Sequence, residues 1–321
     1  MTEAPAVRDQ LAAIPNLRVL AEEPLAGHTR FGIGGPARLF CDAPDRHSCI
    51  AALKALKQAS LPHVVIGGGT NLVVADSGFD GIVLRFTAAG IQQEGTLLLA
   101  EAGAVLQDVV DGSIALGLMG MQTMTGIPGY LGGAVYGNAG AYGQSIQERV
   151  ETVHATNGER TEAFNNAQCH FRYRDSWFKS HKEWLILQAD LRFEEGDTVE
   201  LQKAAREIRE IRDKKYPPSM RCAGSIFKNL FFADLPANAQ AEVPPKLVRE
   251  GKVPSAWFLE QAGVMGMRRG DIQVAAYHAN LIYNDGAGTA ADLVAVVKEC
   301  KKRVADRFGF ELEEEVQYVG F

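Results

Sequence analysis

Seven of the eighteen residues in GIPGYLGGAVYGNAGAYG (126–143) are glycine and none carries charge. Glycine loses more conformational freedom on folding than any other residue, so such density is costly unless the backbone must take positive φ angles or approach a ligand closely. A second run, GGGTN (67–71), lies upstream. Consecutive amides in tight glycine turns form a concave nest for an anion, and Asn71 can add a side-chain N–H. The predicted chemistry is the cradling of a phosphate-bearing cofactor. Tight turns between strands would explain one such run more easily than two.

The cradle is not of the βαβ dinucleotide kind, which needs G-x-G-x-x-G between a strand and a helix. In HVVIGGGTNLVVADSGFDGIVLRF (63–86) an apolar run meets three glycines and another apolar run begins at once, which reads as strand, glycine turn, strand. Two separated glycine turns on neighbouring domains are expected, instead of one turn at a helix start. Other residues are ambiguous by themselves. Ser225 follows a glycine and suits a turn or helix cap. Arg174 can pair with adjacent Asp175, and Arg172 competes with it. Glu313, Glu314 and Glu315 suit a solvated face, and strand alternation puts Glu313 and Glu315 on one side. A lone histidine such as His278 is more often a surface or core residue than a ligand.

The elements that must position these residues are set by periodicity and turn chemistry. Residues 1–27 read as an irregular or helical lead-in, and HTRFGIGGPARLF (28–40) as a turn feeding a strand. Ser48 can cap a helix over 51–58 with Leu53 and Leu56 inward. TLLLAEAG (96–103) reads as a strand, 105–116 as a helix, and ERVETVHAT and WLILQADLRF as strands. Residues 201–215 form an amphipathic helix with Leu201, Ala205, Ile208 and Ile211 on one stripe, stopped by Pro217 and Pro218. Next come an irregular Pro- and Ala-rich span (231–254), a helix at 256–262 and a long helix at 290–308. Thr289 caps the long helix, Leu293, Val296, Val297 and Val304 form its apolar face, and Gly309 ends it. EVQYVGF closes the chain as a strand.

The 321 residues suit two or three domains. With 46% hydrophobic and 22% charged residues, the composition is that of a globular protein, and no apolar run is long enough to span a bilayer. The N-terminus lacks the basic and apolar regions of a secretory signal, so a cytoplasmic location is expected. Five scattered cysteines without a C-x-x-C pair argue against a disulfide framework or a metal site, and predict reduced, buried thiols. A net charge of −6 offers no basic stripe for nucleic acid, leaving a small molecule as the expected partner.

GGGTN, GIPGYLGGAVYGNAGAYG, YRDS (173–176) and AGSIFKN (223–229), together with HTRFGIGGPARLF and ELEEEVQYVG, occur in an order that resembles the UDP-N-acetylenolpyruvoylglucosamine reductase (MurB) family over nearly the whole chain. About twenty residues separate Ser176 from Glu195, so the chain is similar to the shorter group that lacks an extra tyrosine-bearing loop. The resemblance implies an α+β protein with a three-part FAD-binding fold of the vanillyl-alcohol-oxidase type: FAD-binding subdomain 1 over 1–86 plus 310–321, FAD-binding subdomain 2 over 87–200, and a substrate-binding domain over 201–309. FAD would lie between the first two parts and a UDP-sugar under the third.

The implied activity is peptidoglycan-precursor synthesis. NADPH reduces noncovalently bound FAD, which then reduces UDP-N-acetylglucosamine enolpyruvate, with hydride going to C3 and a proton to C2. Ser225 matches the family's proton donor, Arg174 the arginine that pairs with the substrate carboxylate, and Glu315, by its E-V pattern, the acid that stabilises the enolate-like species. For FAD the matching positions are Gly67, Gly68, Gly69, Thr70, Asn71, Gly126, Ile127, Pro128, Gly132, Gly133 and Ala134, with Gly34, Arg30 and Ile33 from the first motif. Lys228, Asn229, Tyr142 and His278 match or suit the UDP-sugar site. No metal is implied, and a monomer away from membranes is expected.

Two departures from the family stand out. Met265 occupies the place of a lysine that meets diphosphate in many relatives, a role that Arg268 or Arg269 could take. The 231–254 span is also longer than the family leads one to expect. Two rival readings are a flavin oxidase of the same fold, which would often tether FAD through His or Cys, and a catalytically silent flavin-binding module.

Overall fold

The computed structural model describes residues 3–59 and 61–321, and of residues 3–6 the backbone only. Met1, Thr2 and Ser60 lie outside the described residues, and with them the first part of the predicted lead-in. By contacts the chain divides into two compact units, Met1–Glu23 with Ala37–Gly69 and Asp80–Lys214, and Pro24–Pro36 with Thr70–Phe79 and Lys215–Phe321. The division after Lys214 falls at the end of the helix Thr198–Lys215.

Two larger sheets lie in the first unit. One has four strands in the order Arg18–Pro24, Pro36–Ala43, Phe79–Phe86, His63–Ile66, with the last two parallel. The strand Arg18–Pro24 corrects the irregular or helical reading of that segment: its alternation is weak because it carries Glu22 and Glu23 at the sheet's end. The other sheet has five antiparallel strands, Thr161–Asn165, Val150–Thr156, Leu185–Arg192, Leu97–Glu101 and Ile91–Glu94. Ala100, Val153, Ala189 and Leu191 are fully buried there, as the apolar runs predict.

The helix Arg46–Ala59 buries Leu53 and Leu56 as expected, but Ser48 is not its cap. Ser48 lies inside the first turn, and Asp45 accepts its N–H at 2.8 Å. That bond is the main reason the Asp45 carboxyl sits below its usual range. A carboxylate is the better acceptor for an orphan amide at a helix start. In Thr198–Lys215, Leu201 and Ala205 are buried while Ile211 is 53% exposed. The predicted stripe is therefore buried only in the first part of the helix, with Ile208 half-buried and Ile211 exposed.

The second unit has an antiparallel sheet in the order Arg221–Ser225, Leu281–Asn284, Ile272–Val274, Arg268–Arg269. Against it lies the helix Ala290–Phe308, capped by Thr289, whose side chain accepts Asp292 N–H at 3.1 Å, and ended by Gly309 at φ 78°. Leu293, Val296, Val297 and Val304 are buried as predicted, each worth about 1.5–3 kcal/mol. The span 231–254 is not irregular throughout: the helix Ala237–Glu242 and the strand pair Leu230–Phe231 with Lys252–Val253 order it around buried Leu235, Ala239 and Val243. The terminal strand Gln317–Val319 runs parallel to Leu72–Val74, directly after GGGTN.

Candidate active site

Within the first unit the two glycine runs lie against each other. A Cβ on Gly68 would come within 3.2 Å of Gly129 Cα and 3.4 Å of the Tyr130 ring. Gly69, Gly126 and Gly129 take φ angles of 65°, 80° and 113°, which favour glycine. The second run is not the free-standing turn that the sequence suggests. Its first part, 126–130, leads straight into the short helix Leu131–Tyr136, which contains Gly132, Gly133 and Ala134.

Several of the proposed cradle amides are used internally. Gly126 N–H donates to Gln107 Oε1, Ile127 N–H to the Met124 carbonyl, Gly132 N–H to the Ala102 carbonyl and Ala134 N–H to the Tyr130 carbonyl. Gly132 would also set a Cβ 2.9 Å from that of Ala102. Gly133, in contrast, faces open space, and a Cβ on Gly67 would meet only Tyr130, at 3.8 Å. Gly67, Gly68 and Gly129 thus meet as a side-chain-poor stretch beside Tyr130, which suits the close approach of an anionic pyrophosphate. Arg212 packs over Gly126, its Nε 3.0 Å from where a Cβ would stand. No sequence pattern links these two positions, because a helix distant in sequence carries the arginine.

YRDS is stitched onto the same stretch. Arg174 Nη2 donates to the Gly140 carbonyl at 2.9 Å, Ser176 Oγ to the Tyr136 carbonyl at 2.7 Å, and Asn138 Nδ2 to the Arg172 carbonyl at 2.8 Å. Arg174 itself has φ 55°, a left-handed conformation rare for a side-chain-bearing residue and concentrated where function demands it. Its guanidinium lies 5.2 Å from the Tyr173 ring centre. The adjacent Asp175 carboxylate accepts Ser176 N–H at 3.0 Å. Tyr142, 52% exposed, sits at φ 53° in the tight hairpin joining Gly140–Ala141 to Gln144–Ser145.

In the second unit Ser225 ends its strand after a register shift and after Gly224 at φ 77°. Its hydroxyl lies 3.3 Å from that of Tyr216. A buried network fixes the two residues after it. Ile226 N–H donates to the Asn280 carbonyl, Phe227 N–H to Asn280 Oδ1, and Asn280 Nδ2 to both the Phe227 carbonyl and Ser255 Oγ.

The C-terminal acids lie beside this segment and separate by partner. Glu313 pairs with Lys228, and Glu314 with Lys301 and the Tyr318 hydroxyl. Glu315 is held by its backbone: its N–H donates to the Ile226 carbonyl at 2.7 Å and its carbonyl accepts Asn71 Nδ2 at 3.0 Å. The structure therefore brings Ser225 and Glu315 onto adjacent segments and leaves Arg174 in the other unit. Strand alternation could not separate Glu313 from Glu315.

Around the predicted sugar-nucleotide positions, Asn229 Oδ1 accepts Ser255 N–H at 3.3 Å. His278 is partly buried, with Nδ1 enclosed and lacking a hydrogen-bond partner. Burial, then the nearby Lys215, pushes its pKa down to about 4. Met265 is 46% exposed, while Arg268 pairs with Asp271 and Asp285 and Arg269 with Asp292. Gly34 needs to be glycine for packing, since at φ 138° a Cβ would lie 2.8 Å from that of Val74. All five cysteines are free and buried.

Comparison with known proteins agrees with this arrangement. Residues 39–160 match the FAD binding domain family and residues 216–319 the UDP-N-acetylenolpyruvoylglucosamine reductase C-terminal domain. The class is thus an α+β FAD-binding protein with a distinct C-terminal domain. A UDP-N-acetylenolpyruvoylglucosamine reductase of Solibacter usitatus is 53% identical, over 97% of this chain and 100% of its own. One from Carboxydothermus hydrogenoformans is 32% identical over 98% of both. The crystal structure of the Thermus caldophilus enzyme superposes with a TM-score of 0.74 at 25% identity, covering 95% of this chain and 99% of that one. The chain belongs to the UDP-N-acetylenolpyruvoylglucosamine reductase family.

Proposed function

We propose that this protein reduces UDP-N-acetylglucosamine enolpyruvate to UDP-N-acetylmuramate for peptidoglycan synthesis. The observation that carries the reading is the pairing of the Ser225 and Glu315 segments in a chain that aligns with 100% of the Solibacter usitatus relative. When bound, FAD supplies the hydride chemistry, with NADPH as donor and C3 of the enolpyruvyl ether as acceptor. Gly67, Gly68, Gly69, Gly129 and Gly133 would hold its pyrophosphate, with Thr70, Asn71 and Gly34 as further contacts.

Hydride arrival at C3 drives negative charge onto the substrate carboxylate. Arg174 pairs with that carboxylate, since a planar fork of donors suits two oxygens. Glu315 stabilises the enolate-like species, and Ser225 delivers a proton to C2. Lys228, Asn229, Tyr142 and His278 contact the UDP-sugar, while Arg268 and Arg269 would each have to leave an acid to replace the lysine absent at Met265. The division read from the sequence is FAD-binding subdomain 1 over 1–86 plus 310–321 and FAD-binding subdomain 2 over 87–200; the two larger sheets of the first unit support it, whereas 24–36, 70–79 and 310–321 cluster with the second unit. No described helix is long and apolar enough to cross a membrane.

Separating the half-reactions tests the assignment. Ser225→Ala should still let NADPH bleach the bound flavin, while reoxidation by the enolpyruvyl substrate nearly stops. Normal reoxidation would exclude Ser225 as donor. A purified protein with no flavin absorbance, and none on adding FAD, would exclude the whole reading.

A further inference from the structure

A serine hydroxyl is a weak acid and a free rotor, so a proton donor of this type needs a neighbour that fixes its direction. The Tyr216 hydroxyl, 3.3 Å from Ser225 Oγ, is placed to do this. Both groups can donate and accept, but a phenol is the stronger donor and an aliphatic hydroxyl the stronger acceptor. With Tyr216 as the donor, the preferred sense, the bond ends on Ser225 Oγ and leaves the serine hydrogen to point elsewhere.

Tyr216 is itself held. Lys215 Nζ lies 5.0 Å from the ring centre, the His278 ring is 6.5 Å away, and the Lys215 carbonyl accepts the Tyr277 hydroxyl at 3.0 Å. On the other side, the register shift before Ser225 and the bond from Ile226 N–H to the Asn280 carbonyl at 3.1 Å fix the serine backbone.

We propose that Tyr216 is the positioning residue for Ser225, aiming its proton at the substrate carbon and stabilising the charge left on Oγ. The inference rests on the reading of Ser225 as proton donor. In the step, the Ser225 O–H bond breaks and the proton takes the electron pair at C2 to form a C–H bond. The O–H electron pair stays on Oγ, where the Tyr216 hydrogen bond strengthens as charge grows, and a solvent proton later restores the hydroxyl. Tyr216 keeps its own proton throughout.

Rapid mixing of the flavin-loaded protein tests this with Tyr216→Phe and Tyr216→Gln. Tyr216→Phe should be reduced by NADPH at the normal rate but reoxidised by UDP-N-acetylglucosamine enolpyruvate about tenfold more slowly, the worth of one hydrogen bond to a developing charge. Tyr216→Gln, whose amide can donate, should regain most of the rate. Wild-type reoxidation by Tyr216→Phe, or equal slowing in both variants, would overturn the inference.

Ser225→Ala run in parallel separates the two ideas. If it reoxidises normally, the donor assignment falls and this role with it. If it is blocked while Tyr216→Phe is normal, only this inference falls. A flavin-free readout uses Ser225→Cys, since the native thiols are all buried. The pH dependence of alkylation of the introduced thiol should move to higher pH when Tyr216→Phe is added, because the thiolate loses its donor. An unmoved profile would overturn the inference.

Discussion

The side-chain amide of Asn71 donates to the backbone carbonyl of Glu315 at 3.0 Å, and the Asn71 carbonyl accepts Gln317 N–H at 2.9 Å. The last residue of GGGTN is therefore a clamp on the segment that carries the proposed enolate-stabilising acid. The sequence suggests instead an amide that faces the flavin phosphates. Asn71 and a C-terminal acid 244 positions away thus form one local structure.

Asn71→Ala should release that clamp. Leaving a part-buried carbonyl unsatisfied costs about 1–2 kcal/mol, which thermal denaturation would register as a fall in Tm. The same variant should slow flavin reoxidation by substrate more than reduction by NADPH. Asn71→Asp, isosteric but unable to donate when ionised, should be no better than alanine; full rescue by aspartate would rule out the clamp.

Asp76 plays a similar role across 214 positions. Its two carboxylate oxygens accept Ala290 N–H at 2.7 Å and Ala291 N–H at 2.9 Å, at the start of the helix Ala290–Phe308. Asp76→Ala should lower stability by about 1–2 kcal/mol through loss of the cap and of its charge near the positive helix end. Asp76→Asn should recover part of this, and denaturant titration of the three proteins measures the division.

How much of this was legible in the sequence depends on the range of the forces involved. The helix Ala290–Phe308, with Thr289 and Gly309 at its ends, is written in local signals: a capping side chain, an apolar period and a left-handed terminal glycine. The candidate residues were visible as motifs. The family's E-V pattern singles out Glu315, but residue type alone does not, because the side-chain partners of Glu313 and Glu314, Lys228 and Lys301, and the Asn71 amide on the Glu315 backbone come from distant segments. Asp45 displaced Ser48 as cap because two good capping residues stand three apart and only the helix start decides between them. The left-handed backbone of Arg174 and Tyr142 has no residue-type signal, and the Tyr216 contact depends on how the chain turns after Pro217 and Pro218.

Gly68→Ala tests the contact between the glycine runs. The new Cβ would stand 3.2 Å from Gly129 Cα, and backbone has little room to yield. Overpacking of this kind costs about 1–3 kcal/mol, so fluorescence titration with FAD should show affinity weakened about tenfold or more. Unchanged affinity would mean that the two runs do not share the cofactor surface.

Flavin should be released intact by acid precipitation and filtration. A covalent link to cysteine needs an accessible thiolate, yet all five thiols are buried. Burial alone pushes that of Cys169 up to about 12, and burial is the main cause for Cys41, Cys49 and Cys300, also raised to about 12. Flavin absorbance remaining on the precipitated protein would contradict noncovalent binding.

His278 should make the protein acid-sensitive within a defined window. Its folded pKa is pushed from 6.5 down to about 4, by burial first and Lys215 second. The unfolded chain therefore binds the proton more readily. The neutral ring's contribution is fully present above pH 6.5 and is lost as pH falls through 6.5 toward about 4. Because the ring is only partly buried, screening limits the loss to about 1 kcal/mol at pH 5. Thermal melts at pH 7 and pH 5 should show a smaller acid-induced drop in Tm for His278→Gln than for the parent protein. Equal drops would mean that the imidazole reaches solvent freely and that Lys215 exerts no pressure on it.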